Sequence, residues 1–349
     1  MSEPTDRALG FSRREVIKTA AAASLATAGI WSLKVTPRAL AAEAVPKAMP
    51  ETLVAQLYRS LTEPQKAKIA FAFDHPLRSK VDNNWMIVKD PISAVLDKEQ
   101  IALVREIFTD LHSEEYADPV MKQVEHDNEE VDGFNGVSIA LFGQPGDMGA
   151  DPINGGQKSK FEFVLAGRHV TRRCDGNSVE GEAFGGPIFY GHAAKGFNEK
   201  ADHPGNVYWY QARRANEVFA ALDGKQRKVA LLDVEPRKEE ATKTVALHPN
   251  PADRAGIPVA DLSPDQKGLV RKVMADLLAP FRKADADEAM KLIETAGFDQ
   301  LNMAFYSKHD IGNDGVWDVW QIEGPSMLWY FRGAPHVHTW VHVREPVKA

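Results

Sequence analysis

The sequence has one cysteine, Cys174, among its 349 residues. A single thiol excludes an intramolecular disulfide, and with it the disulfide-stapled class of small exported domains. Arg172 and Arg173 precede the thiol and would lower its pKa, but no nucleophile motif surrounds it. We therefore interpret Cys174 as a small, half-buried structural side chain. Stability must come from a hydrophobic core, which a chain of this length is large enough to form.

A basic cluster is also absent. The chain has 42 Lys and Arg against 49 Asp and Glu, and residues 42–349 alone hold 36 against 46. A protein this acidic repels phosphate backbones and anionic lipids, so we expect no nucleic-acid partner. No apolar run after residue 42 is long enough to cross a bilayer, so we expect no stable membrane anchor. No nucleophile elbow, phosphate loop, dinucleotide fingerprint or haem-attachment motif is present.

The N-terminal segment has the order of an export signal. Residues 12–18 read Ser-Arg-Arg-Glu-Val-Ile-Lys, residues 19–33 are uncharged and alanine-rich, and a small-residue site ends at Ala41. This order predicts a twin-arginine signal over residues 1–41, with cleavage after Ala41. We expect the Tat translocase as a partner during export, and a periplasmic or secreted location. An amphipathic N-terminal helix or an uncleaved anchor is the alternative.

Four segments carry the same helix-start signal, in which Leu precedes Thr, Ser or Asp and Gln follows three residues later. The capping residues are Thr62, Asp97, Asp223 and Ser263. This pattern is the capping box, and apolar residues at helical spacing follow it. The signal predicts four amphipathic helices, and it leaves an internal duplication open, although the uneven intervals argue against a solenoid.

Short runs of β-branched and aromatic residues bounded by glycines predict strands. They cover residues 137–142, 161–165, 187–190, 303–306, 316–322, 327–331 and 336–343. The last four follow one another as a β-meander. We therefore predict one α+β domain over residues 42–349, with antiparallel β-sheet packed by capped amphipathic helices.

The last predicted strand has chemistry on one face. Its side chains alternate, so His336, His338, Trp340 and His342 share one face and valines occupy much of the other. Two histidines spaced two residues apart can converge on one metal ion. An edge strand whose polar face meets water explains the same pattern without a metal.

A third ligand must come from elsewhere in the chain. His169 follows a predicted strand and a glycine, which makes it the best candidate. Further candidate ligands or acid/base groups lie in the loops just downstream, namely Glu180, Glu182, His192 and His203. Neutral imidazoles suit a divalent transition metal such as zinc, copper or iron, and spacing does not discriminate among them.

The order of several short motifs resembles the DUF3500 family of uncharacterised exported bacterial proteins. The matching pieces span nearly the whole chain after the signal; they include residues 83–85, 141–145, 167–169, 186–191, 322–325 and 336–338. In that family two histidines typically follow the glycine, whereas here Arg168 takes the first place and His169 the second. The family also tends to place a carboxylate after the Gly-Pro pair, where this sequence has Trp329 and Tyr330.

These observations favour a periplasmic metal-dependent enzyme, either a hydrolase or an oxidoreductase. In this interpretation His169, His336 and His338 bind the metal and Glu182 is the catalytic acid or base. Arg168 orients an anionic group of a small substrate, and Trp340 lines the substrate site. The alternative is a periplasmic protein that binds a small polar ligand without catalysis, and a partner-binding surface protein is a third.

Overall fold

A computed structural model describes residues 49–146, 159–192, 206–310 and 315–346. The predicted signal over residues 1–41 therefore lies outside the described residues, as does His203. None of the helices in the described ranges is both long and apolar enough to cross a bilayer.

The described ranges contain nine α-helices. They are α1 Pro50–Ser60, α2 Glu63–Ile69, α3 Ile92–Val95, α4 Lys98–Asp110, α5 Glu114–Asp127, α6 Trp209–Ala221, α7 Gly224–Ala230, α8 Pro264–Leu278 and α9 Lys283–Ala296. All four predicted capping boxes are present, and they begin α2, α4, α7 and α8. In each box the glutamine side chain accepts a hydrogen bond from the capping residue's N–H, which satisfies a donor that the helix leaves unpaired.

Eleven strands form one mixed, mostly antiparallel sheet. They are β1 Ala70–Phe71, β2 Ser138–Gly143, β3 Phe161–Gly167, β4 Val170–Cys174, β5 Ile188–His192, β6 Leu231–Leu232, β7 Ile257–Pro258, β8 Asn302–Tyr306, β9 Val319–Glu323, β10 Met327–Arg332 and β11 Val337–Val343. The predicted α+β class and the C-terminal meander are confirmed. Strand β4 was not predicted, because Arg172 and Arg173 interrupt its apolar pattern.

The strand order is β1-β2-β3-β4-β5-β11-β10-β9-β8-β6, with β7 beside β8. Strand β11 is therefore central, paired with β5 on one side and β10 on the other. This position corrects the edge-strand alternative for the histidine strand. The valine face of β11 packs into the main core under the helices, and the histidine face is covered as well.

Two irregular segments cover the face of the sheet that lies away from the helices. Residues 72–91 pack Trp85 and Ile87 against β2 and β3, and residues 233–256 pack Val245 against the β8–β11 side. Each segment is tied down by a buried ion pair, Arg78–Glu162 for the first and Arg237–Glu323 for the second. Both glutamates have fully buried side chains, so losing either arginine would leave a buried charge incompletely compensated.

The chain repeats its order of elements. The run α1-α2-β1 returns as α6-α7-β6, and the helix pair α4-α5 returns as α8-α9. Strands β1 and β6 each pair in parallel with the strand that follows the helix pair, β2 and β8. The two halves meet at the antiparallel pair β5–β11, which lies at the centre of the sheet. The repeated capping boxes in the sequence therefore belong to two similar halves, and a solenoid is excluded for the described residues.

The capping glutamines join the helices within each half. Gln65 Nε2 donates to Gln100 Oε1 at 2.7 Å in the first half, and Gln226 Nε2 donates to Gln266 Oε1 at 3.0 Å in the second. Each glutamine thus caps its own helix and contacts the matching box. This reciprocal contact explains why the sequence uses Gln at this position, since Glu would place two negative charges side by side.

The single thiol is inert in the fold. Cys174 is 2% exposed, and burial, followed by the charge of Glu51, raises its pKa well above the usual range. The neighbouring guanidinium of Arg173 is directed elsewhere, to the buried carboxylate of Glu162. The structural interpretation of Cys174 is thereby supported, with more burial than we expected.

Candidate metal centre

Three histidines from two parts of the chain meet at one end of the central strands. The Nε2 atom of His338 lies 3.1 Å from Nε2 of His169 and 3.0 Å from Nε2 of His336. All three ligand atoms lie within 4.8 Å of one another. Tetrahedral coordination at 2.0–2.1 Å per nitrogen would place such atoms roughly 3.3 Å apart. Among the described residues, these three histidines form the cluster of potential ligands that is compact enough to hold a metal ion.

The backbone around His169 explains how it reaches β11 from another part of the chain. His169 lies in the tight turn between β3 and β4 and has a φ of +57°, a conformation that L-residues adopt rarely. Its N–H donates to the carbonyl of Asn83, and its carbonyl accepts from the N–H of Gly191. These two bonds hold the strained residue between a covering segment and β5, so the imidazole is fixed before any ligand binds.

A carboxylate holds the outer nitrogen of two of the three rings. Nδ1 of His169 lies 2.8 Å from Asp127 Oδ2, at the end of α5, and Nδ1 of His338 lies 2.8 Å from Glu239 Oε2. Asp127 belongs to the helix side of the sheet, whereas Glu239 belongs to the covering segment 233–256. The centre is thus held from both faces of the sheet. Carboxylates in this position orient metal-binding histidines and raise their basicity.

These carboxylates determine which nitrogen carries the hydrogen. A carboxylate only accepts, so Nδ1 of both His169 and His338 is the N–H donor. In the neutral rings Nε2 then carries a lone pair, and the two lone pairs face each other at 3.1 Å. Such an arrangement is repulsive unless a cation lies between the two nitrogens. Either a proton or a metal ion between the two nitrogens would remove this repulsion.

The pKa values favour neutral imidazoles. Burial lowers the pKa of His336 to about 3, assisted by the charges of His338, His169 and Arg332. Burial lowers the pKa of His338 to about 4 as well, although the hydrogen bond to Glu239 opposes this. Both rings are therefore neutral at physiological pH. Neutral imidazole is the form that binds metal ions, so a proton is the weaker of the two candidates for the shared position.

Glu239 contacts two further side chains besides His338. Its Oε2 accepts from Asn83 Nδ2 at 3.2 Å, and its Oε1 lies 3.3 Å from Arg332 Nε. Burial alone would raise its pKa. The hydrogen bond and charge of His338, with the charge of Arg332, outweigh that effect and lower the pKa to about 2. Glu239 therefore stays ionised and acceptor-only at any pH at which the protein functions.

Among the described residues, the other candidate ligands do not join the three histidines. Glu182 lies at the opposite end of β11, where its carboxylate is 3.7 Å from His342 Nε2 and 3.4 Å from Arg344 Nη1. Glu180 is exposed. His192 is 1% exposed, with Nδ1 3.9 Å from Asp127 Oδ1, so it lies behind the centre rather than in it.

Arg168 lies on the far side of His169 from the shared Nε2 position. It is exposed and lines a half-open cavity of about 570 Å³ together with Asp127. Further lining residues include Trp85, Met86 and Val131. Because Asp127 binds Nδ1 of His169, this cavity faces the outer side of that ring. The predicted anion-orienting residue thus borders the centre from behind.

Trp340 follows His338 on the same face of β11 and is completely buried. Its ring packs edge-on against Phe189, with centroids 4.8 Å apart, and Tyr330 is its cross-strand partner. Trp329 points into the main core, where its Nε1 donates to Tyr190 Oη at 2.9 Å. Trp340 and Tyr330 therefore lie on the same face of the sheet as the centre, whereas Trp329 lies on the opposite face.

The sequence-based argument missed Asp127, Glu239 and Arg332. Asp127 ends an amphipathic helix, Glu239 lies in a polar segment with several prolines, and Arg332 follows directly after the predicted strand 327–331. None of the three belongs to a sequence motif that contains His169, His336 or His338, so the local sequence did not mark them as part of the site. Asn83, in contrast, was part of a motif shared with the family.

Comparison with known proteins identifies a family but no characterised relative. The sequence model of one family, described as a protein of unknown function (DUF3500), matches residues 43–347. No curated protein and no solved structure matches the chain significantly. The chemistry must therefore be inferred from the side chains themselves.

Proposed function

This chain belongs to the DUF3500 family, and we propose that it is an exported metal-dependent enzyme acting on a small polar or anionic substrate. One observation carries the proposal. Nε2 of His169 and of His338 face each other at 3.1 Å, while carboxylates hold the hydrogens of both rings on the opposite nitrogens. A cation is needed between them, and His336 supplies a third ligand.

Three protein ligands leave one position of a tetrahedral metal open. Catalytic zinc sites have this composition and hold water or substrate at the fourth position. A bound metal would supply either an acidified water for hydrolysis or, with copper or iron, a redox centre. The protein's own part is to hold the rings: Asp127 and Glu239 fix their orientation, and the buried surroundings keep His336 and His338 neutral.

Export in folded form supports the same proposal. A twin-arginine signal over residues 1–41 would send the protein to the periplasm after folding, so the metal would be bound before translocation. His338 lies in a central strand, His336 immediately precedes that strand and His169 lies in a distant turn, so the centre forms only when the sheet is complete. A chain that crossed unfolded would have to find its metal outside the cell.

The test is the metal content of the protein that is expressed with its own signal and recovered from the periplasm. We expect about one transition-metal ion per chain by elemental analysis, and less than a tenth of that in the His336→Ala/His338→Ala double variant. His342→Ala is the matched control, because His342 lies on the same face of β11 but not in the centre. Equal metal in parent and double variant, with both folded by circular dichroism, would contradict the proposal. Recovery of the protein only from the cytoplasm would contradict export.

A second candidate is a periplasmic protein that binds a small ligand without catalysis. The cavity of about 570 Å³ beside Trp85 and Arg168 favours it, since ligand pockets combine apolar walls with a few polar groups. Screening model esters, phosphate esters and oxidisable phenols separates the two. Turnover that disappears in the double variant supports the enzyme, whereas a metal-loaded protein that turns over none of them supports the binding protein.

A further inference from the structure

Arg332 is a cationic side chain that lies directly beside the three histidines. It ends β10, and its Cα partner across the strand pair is that of His338. Directly opposed residues of neighbouring strands place their side chains on the same face. Arg332 therefore projects from the sheet on the histidine face of β11, with a side chain that is 22% exposed.

The guanidinium is only partly used by the protein. Its Nε lies 3.3 Å from Oε1 of Glu239, which is an ion pair but not a well-aligned hydrogen bond. Its Nη2 is shielded from solvent and makes no hydrogen bond with any described residue. The hydroxyl of Tyr330, two residues earlier on the same face, is likewise shielded and without a hydrogen bond among the described residues. Shielded donors of this kind are costly unless a partner binds them.

The charges around the centre indicate what that partner is. Among the described residues, the charged side chains that contact these rings or one another here are Asp127, Glu239 and Arg332. Two carboxylates and one guanidinium leave one net negative charge, and a divalent metal ion would convert it to one net positive charge. A ligand with a single negative charge balances the site, whereas a neutral ligand leaves a charge in poorly solvated surroundings.

We propose that the substrate carries a carboxylate and that Arg332 binds it through Nη2 while the metal holds the reacting group. The arginine fork matches the geometry of a carboxylate. A phosphate monoester carries about −1.5 to −2 charges at neutral pH and would overcompensate the site. The inference rests on the proposed metal centre and names its substrate class. It also moves the anion-binding role from Arg168 to Arg332.

The experiment compares two probes that differ by one charge. Malonamate, a monocarboxylate, and malonamide, its neutral analogue, are titrated into the cobalt(II)-loaded protein while the visible absorption of the metal is followed. In the parent we expect malonamate to bind at least tenfold tighter than malonamide. In Arg332→Gln that preference should fall at least tenfold, with the metal content unchanged. Arg168→Gln, on the outer side of His169, is the matched control and should keep the parent's preference.

Arg332→Lys covers the case in which the glutamine variant does not fold. It keeps a cation beside Glu239 but loses the second nitrogen of the fork, so we expect an intermediate preference. A preference that survives unchanged in both Arg332 variants would overturn the proposal, as would its loss in Arg168→Gln. Failure of the metal centre is distinguishable, because it appears as a parent that binds no cobalt. Calorimetric titration of malonamate into the metal-free protein then still tests Arg332, and binding that does not depend on this residue overturns the inference.

Discussion

The two ends of the central strand pair β5–β11 have similar backbones and different chemistry. At one end the carbonyl of His169 accepts a hydrogen bond from Gly191 N–H at 3.1 Å, and at the other the carbonyl of Ser326 accepts from Arg344 N–H at 2.8 Å. These bonds occupy matching places in the two halves, since the β3–β4 turn corresponds to the β9–β10 turn. One turn presents an imidazole and the other a hydroxyl.

The side chains at the second end neutralise one another. Glu182 lies between His342 and Arg344, and although burial raises its pKa, His342 and Arg344 lower it overall. The first end instead brings three imidazole nitrogens together, with carboxylates holding the outer nitrogens of His169 and His338. The repeated scaffold thus supplies the position at both ends, and different side chains at one end form the histidine cluster that could hold a metal ion.

The largest expected effect is a difference in metal affinity between alanine variants of the two matching turn residues, His169 and Ser326. His169→Ala removes a ligand and should weaken metal binding by more than about a hundredfold, since losing only the carboxylate that orients a ligand costs about 10–100-fold. Ser326→Ala should leave the affinity unchanged. Competition against a chromogenic chelator measures both. Equal losses in the two variants would show that the turn acts through the fold and not through its side chain.

The next largest expected effect is the loss of metal affinity when the carboxylates of the two ends are replaced by amides. Asp127→Asn and Glu239→Gln each keep the shape but weaken the hold on an imidazole, so metal affinity should fall about 10–100-fold. Glu182→Gln should not change it, because Glu182 contacts only the second end. The same chelator titration checks this prediction. If Glu182→Gln costs as much as Glu239→Gln, the two ends are not functionally distinct.

The similarity of the halves can be tested through their capping boxes. Asp97→Ala and Ser263→Ala remove the capping side chains of α4 and α8, which accept from Gln100 and Gln266 N–H. Each should lower the free energy of unfolding by about 1 kcal/mol, as measured by urea denaturation. A cost confined to one variant would show that one helix contributes little to cooperative unfolding.

The smallest effect is a pH dependence near the second end. Burial, followed by the charges of Asp175 and Asp285, raises the pKa of Glu288 to about 7. A carboxyl whose pKa is higher in the folded state favours folding at low pH, and this contribution is lost as pH rises from about 4.5 to about 7. Glu288→Gln should therefore match the parent at pH 4 and exceed its stability at pH 8 by at most about 1 kcal/mol, allowing for solvent screening. A variant less stable than the parent at pH 8 would contradict the sign.

Local patterns predicted the local structure. The four boxes predicted where α2, α4, α7 and α8 begin, and the alternation of β11 separated its histidine face from its valine face. Helices α1, α3, α5, α6 and α9 lack the box and were not predicted. The predicted export signal stays a prediction, because it lies outside the described residues.

Long-range relations were predicted only in part. His169 was proposed as the third ligand because it follows a strand and a glycine, and the structure brings it to His336 and His338. Glu182 was proposed on nearness in sequence, and the fold places it at the other end of β11. Arg168 was proposed because it takes the place of a family histidine, and it lines the cavity beside Asp127. Asp127 and Glu239 come from segments with no shared motif.

The sequence by itself determined the helix starts, the strand alternation, the excess of acidic residues and the absence of a disulfide, because each depends on neighbouring residues or on composition. Only the tertiary structure decided that β11 is central, that three imidazoles converge on one point and that Arg332 lies beside them. The physical reason is that these relations arise from strand pairing between residues far apart in the chain. One register shift would move His338 away from Arg332 without changing any local pattern.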